Sequence, residues 1–102
     1  MSIKKQYSKK KQICKVTFDV PAEADRDLQT VHVVGEFNGW STTATPMKRK
    51  KNGVYSTTVD LQPGQEYQFR YLLDNTQWEN DNEADKYAET PYRDAVNSVI
   101  VI

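Results

Sequence analysis

The sequence has few of the residues on which common catalytic and metal sites depend. It contains one cysteine and one histidine in 102 residues. A single cysteine excludes an internal disulfide and a cysteine-based metal site, so we expect Cys14 to be a small buried hydrophobe. Neither a glycine-rich phosphate loop nor a nucleophile elbow is present. We therefore expect no cofactor and no metal.

Charge and hydrophobicity exclude further classes of partner. The 14 basic and 14 acidic side chains cancel, so no overall field attracts nucleic acid or a membrane surface. No apolar run approaches the length of a membrane span. The lysine-rich N-terminus lacks the apolar stretch of a secretory signal, which predicts a cytoplasmic protein. Residues 1–11 show no periodicity and predict a flexible basic N-terminal arm before a single domain over residues 12–102.

The remaining sequence predicts short strands separated by turns. Apolar and polar residues alternate through four segments, and a fifth apolar segment ends the chain: Cys14–Val20, Val31–Val34, Val54–Leu61, Tyr67–Leu73 and Val96–Ile102. Asn52-Gly53 predicts a hairpin with a type I′ turn. Ala22–Gln29 and Asn80–Asp94 are expected to be loops, with one helical turn considered at Ala84–Tyr87. The pattern predicts an all-β sandwich of immunoglobulin-like size with six to eight short antiparallel strands.

Both tryptophans of the chain lie in polar, turn-forming surroundings. Trp40 belongs to Gly-Glu-Phe-Asn-Gly-Trp-Ser, and Trp78 follows Asp-Asn-Thr-Gln. Because a tryptophan buries a large area when it enters a core, this placement has two explanations. The rings close the ends of a small β domain, or they form a flat platform for a ligand with apolar faces and many hydroxyls, such as a sugar chain. We favour the platform.

Several of these segments together resemble one family. They are Val31–Trp40, the hairpin around Asn52-Gly53, Tyr67–Tyr71, Gln77-Trp78 and Val96–Ser98. In this order they resemble the glycogen-binding or isoamylase N-terminal-like domain, as found in the β subunit of AMP-activated protein kinase, from Thr30 to the C-terminus. The resemblance implies an early-set immunoglobulin-like β-sandwich that binds α-glucans.

The resemblance also implies four sugar-binding residues. Members that bind glycogen stack two tryptophans on glucose rings and contact hydroxyls through a basic residue and an asparagine. The matching positions are Trp40, Trp78, Arg70 and Asn97. This chain departs from the family where Arg70 replaces a frequent lysine, and at Arg93–Ala95, where an apolar residue and a threonine are usual.

Each of these residues also has a purely structural explanation. Trp40 could pack at the edge of the sandwich and Trp78 could cover the open end of the core. Arg70 could be a solvated strand arginine, and Asn97 could satisfy a main-chain group. The acidic run Glu79–Asp85 contains carboxylates at alternate positions, but it lacks the glycine and closing glutamate of a calcium-binding EF-hand loop.

The function predicted from the sequence is therefore a non-catalytic carbohydrate-binding module for α-glucan such as glycogen or starch. Its other predicted partner is a separately encoded glucan-active enzyme. The alternative is a protein-interaction or structural module of the same fold that has lost sugar binding. An enzyme ranks third, because a glycosidase needs two carboxyl groups facing each other across a cleft.

Overall fold

The structure is a computed structural model that describes residues 1–21, 28–91 and 95–102. Nine strands and one short 3₁₀ turn, Glu36–Asn38, occur in these ranges. The strands are β1 Ser2–Ser8, β2 Ile13–Val20, β3 Val31–Gly35, β4 Lys48–Arg49, β5 Tyr55–Leu61, β6 Glu66–Leu73, β7 Gln77–Glu79, β8 Lys86–Glu89 and β9 Val96–Val101. The all-β prediction is confirmed, with more strands than the six to eight expected.

The strands form two antiparallel sheets. The first sheet has the order β1-β2-β5-β4, and the second has the order β3-β6-β9-β8. β7 extends the second sheet by pairing with Tyr71–Leu73 at the end of β6. β9 pairs with Glu66–Phe69 at the beginning of β6. The second sheet therefore combines strands from both halves of the chain.

The core lies between the inward faces of the two sheets. Alternate residues of β2, namely Cys14, Val16, Phe18 and Val20, are buried as predicted. Phe18 contacts the rings of Phe69 and Tyr71 from β6, with centroids 5.1 and 6.4 Å away. Burial of these aromatic rings supplies the largest apolar areas that hold the sheets together.

The N-terminal segment corrects one prediction. Residues 1–11 were expected to be an arm without regular structure, but Ser2–Ser8 form β1 and pair with β2 along their whole length. Ile3, Lys5 and Tyr7 alternate toward the inner side because they pair with Phe18, Val16 and Cys14. A lysine at an inward position interrupts the apolar alternation, so the strand is hidden in the sequence.

Two further local predictions are wrong. Lys86–Glu89 form strand β8 where a surface loop, with a helical turn considered at Ala84–Tyr87, was expected. The hairpin at Asn52-Gly53 is confirmed, but only Gly53 has a positive φ, 84°. The Gly53 N–H donates to the Lys50 carbonyl, and the Lys50 N–H donates to the Val54 carbonyl. This is the three-residue hairpin loop that ends in a left-handed glycine, and it is not a type I′ turn. The predicted loop Ala22–Gln29 lies mostly outside the described residues.

Lys5 connects the two sheets at their open edge. Its ammonium donates to Asp85 Oδ2 at 2.7 Å and to the Val101 carbonyl at 2.8 Å. The same Asp85 oxygen accepts the Val101 N–H at 2.7 Å. Partial burial raises the pKa of Asp85, but the hydrogen bonds from Lys5 and Val101 and the charge of Lys5 outweigh it. The pKa of Asp85 therefore lies below its ordinary value.

This lowered pKa predicts a pH dependence of stability. A carboxylate with a depressed pKa in the folded state stabilises the protein above its unfolded pKa of about 3.9, and this contribution disappears on acidification. We expect Asp85→Asn to lower the free energy of unfolding at pH 6 and to have little effect near pH 2. Urea denaturation at several pH values measures this difference. The control is Asp60→Asn, at an exposed position on β5; an equal pH dependence in both variants would contradict the prediction.

Candidate functional site

A shallow groove of about 350 Å³ lies on the outer face of the second sheet. It is lined by Glu36, Trp40, Gln68, Arg70, Trp78, Thr90, Pro91 and Asn97. All four residues predicted from the sequence, Trp40, Arg70, Trp78 and Asn97, are among them. They come from the loop after β3, from β6, from β7 and from β9, so the strand pairing of the second sheet brings them together.

The loop after β3 determines where Trp40 stands. The Asn38 amide donates to the Val33 carbonyl and to Thr45 Oγ1, both at 3.0 Å, and its oxygen accepts the Gly35 N–H at 3.1 Å. A side chain at Gly35 would lie 2.6 Å from the Gln68 carbonyl oxygen. Glycine therefore allows β3 to approach β6 closely at the point where the loop begins.

Trp40 itself has an unusual main-chain conformation. Gly39 and Trp40 have φ values of 67° and 59°, and the Trp40 N–H donates to the Gly35 carbonyl at 2.8 Å. Positive φ is rare for a bulky side chain and costs roughly 1–2 kcal/mol. The turn thus holds the indole ring over the groove, with 39% of Trp40 exposed.

A tight turn places Trp78 on the same outer face. Asp74 and Asn75 both have positive φ, 51° and 59°, and the Thr76 N–H donates to the Leu73 carbonyl at 3.0 Å. This turn lets β7 fold back on β6, so that Trp78 pairs with Leu72. Trp78 is 44% exposed, whereas its partner Leu72 is 3% exposed. Neither tryptophan is buried as an ordinary core residue.

Arg70 and Asn97 form the polar floor of the groove. Arg70 lies between Phe69 and Tyr71 on β6 and faces outward, because both neighbours are buried in the core. Its Nη2 donates to the Val96 carbonyl at 2.8 Å. Asn97 follows Val96 on β9, and its Nδ2 donates to Gln68 Oε1 at 2.9 Å. Main-chain and side-chain hydrogen bonds thus hold both residues in defined orientations.

A partly buried polar network joins the strands that carry the groove residues. Asn80, two residues after Trp78, donates to the Val96 carbonyl at 2.9 Å. Its Oδ1 accepts the Ser98 N–H at 2.9 Å and the Ser98 hydroxyl at 2.8 Å. The Asp81 N–H donates to the Ser98 hydroxyl oxygen at 2.8 Å. Asn80 therefore joins the strand end that carries Trp78 to the strand that carries Asn97.

Asp81 continues this network into the core. It is fully buried, and its carboxylate accepts the Tyr71 hydroxyl and the Glu83 N–H, each at 2.7 Å. Burial raises the pKa of Tyr71 far above its ordinary value, and the charge of Asp81 and the hydrogen bond to it add to the shift. Tyr71 is therefore a neutral donor over the physiological pH range.

The sequence patterns did not identify every residue of the site. Glu36, Gln68, Thr90 and Pro91 line the groove, and Asp81 was considered only as part of a calcium-like run. The motif around Trp40 contains Glu36, and the alternation of β6 places Gln68 beside Arg70 on the outer face, so these two could have been found. Arg93 and Asp94, where the sequence departs from the family, lie outside the described residues.

Two negative findings apply to the described ranges. In residues 1–21, 28–91 and 95–102, no three or more histidine, cysteine or acidic side chains are grouped to hold a metal ion. No helix in the same ranges is long and apolar enough to cross a bilayer.

The fold and the groove define the class of protein. A small β-sandwich with two exposed tryptophans around a polar floor has the features of a carbohydrate-binding module. Comparison with known families agrees: the family described as "Glycogen recognition site of AMP-activated protein kinase" matches residues 23–102. The match covers more than half of the chain, and the chain belongs to this family.

One curated relative is similar over part of the chain. It is "Protein PTST homolog 2, chloroplastic" of Arabidopsis thaliana, 41% identical over 51 residues. The matched region spans 50% of this chain and 9% of the relative. The similarity therefore concerns one region of a much longer protein.

Proposed function

We propose that this chain is a non-catalytic module that binds α-glucan, such as glycogen or starch, in the groove on the second sheet. Trp40 and Trp78 stack on the apolar faces of glucose rings, and Arg70 and Asn97 bind hydroxyl groups. The observation that carries the proposal is the convergence of these four residues, from four separate segments, on one open groove. Membership of the glycogen-recognition family supports the same ligand.

The groove supports binding and offers little for catalysis. Among the described residues that line it, Glu36 is the single carboxylate, whereas glycoside hydrolysis uses two carboxyl groups on either side of the bond. The Glu36 carboxylate also accepts the Gln68 N–H at 2.6 Å, which gives it a structural role. We propose that the module brings a glucan-active enzyme, encoded separately, to the polymer.

The affinity follows from the shallow shape of the site. We expect dissociation constants on the order of micromolar to millimolar for short oligosaccharides, since few contacts must offset the ordering of a flexible ligand.

We also propose that the sandwich is of the early-set immunoglobulin-like type and that the protein is cytoplasmic. The name of the Arabidopsis relative describes that protein as chloroplastic.

Titration with glycogen and β-cyclodextrin, followed by tryptophan fluorescence and calorimetry, tests this function. We expect saturable binding by the wild type and a loss of roughly tenfold or more in Trp40→Ala and in Trp78→Ala, because each removes a stacking platform. Tyr7→Ala is the matched control, since Tyr7 is 56% exposed but does not line the groove. Circular dichroism checks that each variant is folded.

The opposite result has a definite meaning. A folded wild type that gives no response at millimolar sugar would refute α-glucan binding. The exposed tryptophans would then belong to a protein-interaction surface, which is the alternative function predicted from the sequence.

A further inference from the structure

Gln68 forms hydrogen bonds within the groove through both its main chain and its side chain. It precedes Arg70 by two residues on β6, so both side chains are on the outer face of the second sheet. Its main-chain N–H donates to Glu36 Oε1 at 2.6 Å, and its side-chain Oε1 accepts Asn97 Nδ2 at 2.9 Å. Gln68 therefore lies between the segment that carries Trp40 and the strand that carries Asn97, and it is hydrogen-bonded to both.

The hydrogen bond between the two amides leaves a donor and an acceptor for a ligand. A glutamine amide has two N–H donors and an asparagine amide has an acceptor oxygen. The Gln68–Asn97 bond uses the oxygen of the first and one N–H of the second. Within the described part of the chain, Gln68 Nε2 and Asn97 Oδ1 have no other hydrogen-bond partner. The pair thus offers N–H groups beside a carbonyl oxygen.

This arrangement matches the chemistry of neighbouring sugar hydroxyls. A hydroxyl group both donates and accepts, so two hydroxyls on adjacent ring carbons can accept from one amide and donate to the next. The bond between the two amides keeps one N–H group and one carbonyl oxygen side by side, whichever of the two amides donates. We propose that Gln68 contacts the ligand directly and, with Asn97, recognises a pair of adjacent, unsubstituted ring hydroxyls. This inference rests on the proposed function and adds to it a residue that determines specificity.

The test separates a ligand contact from a supporting role. Gln68→Met keeps the length of the side chain and removes its donors and acceptor, and Gln65→Met is the matched control at an exposed position outside the groove. Calorimetry measures binding of a maltooligosaccharide and of its 2-deoxy and 3-deoxy analogues. Thermal unfolding confirms that both variants retain the wild-type stability.

We expect Gln68→Met to weaken binding of the parent sugar roughly fivefold, the effect of one hydrogen bond. One of the two deoxy analogues should weaken wild-type binding by a similar factor. Gln68→Met should show no further loss with that analogue, because the contact is already absent. Gln65→Met should bind all three sugars as the wild type does.

Two results would overturn the inference while leaving α-glucan binding intact. In the first, Gln68→Met binds the parent sugar as tightly as the wild type. In the second, the losses from the substitution and from each deoxy position are additive, so that Gln68 acts only by orienting Asn97. A wild type that binds none of the sugars would instead refute the proposed function itself.

Discussion

Asp81→Ala is expected to lower the free energy of unfolding by about 3 kcal/mol, because it leaves one buried and one partly buried donor without an acceptor. These donors are the Tyr71 hydroxyl and the Glu83 N–H. Alanine cannot accept either hydrogen bond, and water does not replace it at the Tyr71 hydroxyl, since Asp81 and Tyr71 are both fully buried. Denaturation in urea measures the change.

Two further variants distinguish this mechanism from a general effect of the loop. Asp81→Asn keeps an acceptor oxygen and should cost less than Asp81→Ala. Glu83→Ala removes an exposed acid two residues away and should change stability by no more than about 0.5 kcal/mol. If Asp81→Ala were as stable as Glu83→Ala, the buried network would not contribute to stability.

Substitution of Trp40 is expected to separate binding from stability. Both Trp40→Ala and Trp40→Gly should lose the stacking platform and bind α-glucan at least roughly tenfold more weakly. However, Trp40→Gly should be more stable than Trp40→Ala by about 1 kcal/mol, because only glycine adopts a φ of 59° without steric strain. At most positions alanine is the more stable of the two.

Ser41 is the control position for the relative stability of glycine and alanine variants. It follows Trp40 in the same loop and is not among the residues with positive φ. Ser41→Ala should therefore be at least as stable as Ser41→Gly, the reverse of the order at Trp40. Thermal and urea unfolding of the four variants measures both differences. If the alanine variant were the more stable of the two at Trp40 as well as at Ser41, the main chain at Trp40 would carry no conformational strain.

The two sides of the groove depend on different structural features of the domain. Hydrogen bonds among Tyr71, Asp81, Ser98 and Asn80 hold together the strands that carry Arg70, Trp78 and Asn97. The strained turn at Gly39-Trp40 positions the other tryptophan. The Trp78 side of the groove therefore combines hydrogen-bonded polar groups with the positive-φ turn at Asp74-Asn75, and the Trp40 side depends on a loop conformation that costs free energy.

Several elements could be predicted from local sequence. β2, β5 and β6 alternate apolar and polar residues, and each buries one face as expected. Arg70 lies on the outer face because its neighbours Phe69 and Tyr71 are buried on the inner face. Such predictions succeed because a half-buried strand repeats every two residues, and this period is a property of the chain alone.

The missed elements depended on partners that are distant in sequence. β1 contains an inward lysine that is satisfied 80 residues away by Asp85. Asp81 belongs to the acidic run Glu79–Asp85, and its burial required hydrogen bonds with Tyr71 and Ser98 from two other strands. Neither position could be recognised locally, because a charged residue is tolerated on the inward face of a strand or in the core only when another part of the chain supplies its hydrogen bonds.

The sequence by itself determined the all-β class, the positions of most strands and turns, and the four residues expected to bind sugar. The tertiary structure decided that these residues share one groove, that Gln68 and Glu36 join them, and that Asp81 is buried. The physical reason is that alternation is a property of a single strand, whereas the pairing of strands depends on segments that are distant in sequence. Alternation shows which side of a strand is apolar, whereas hydrogen bonds between distant strands determine which side chains become neighbours.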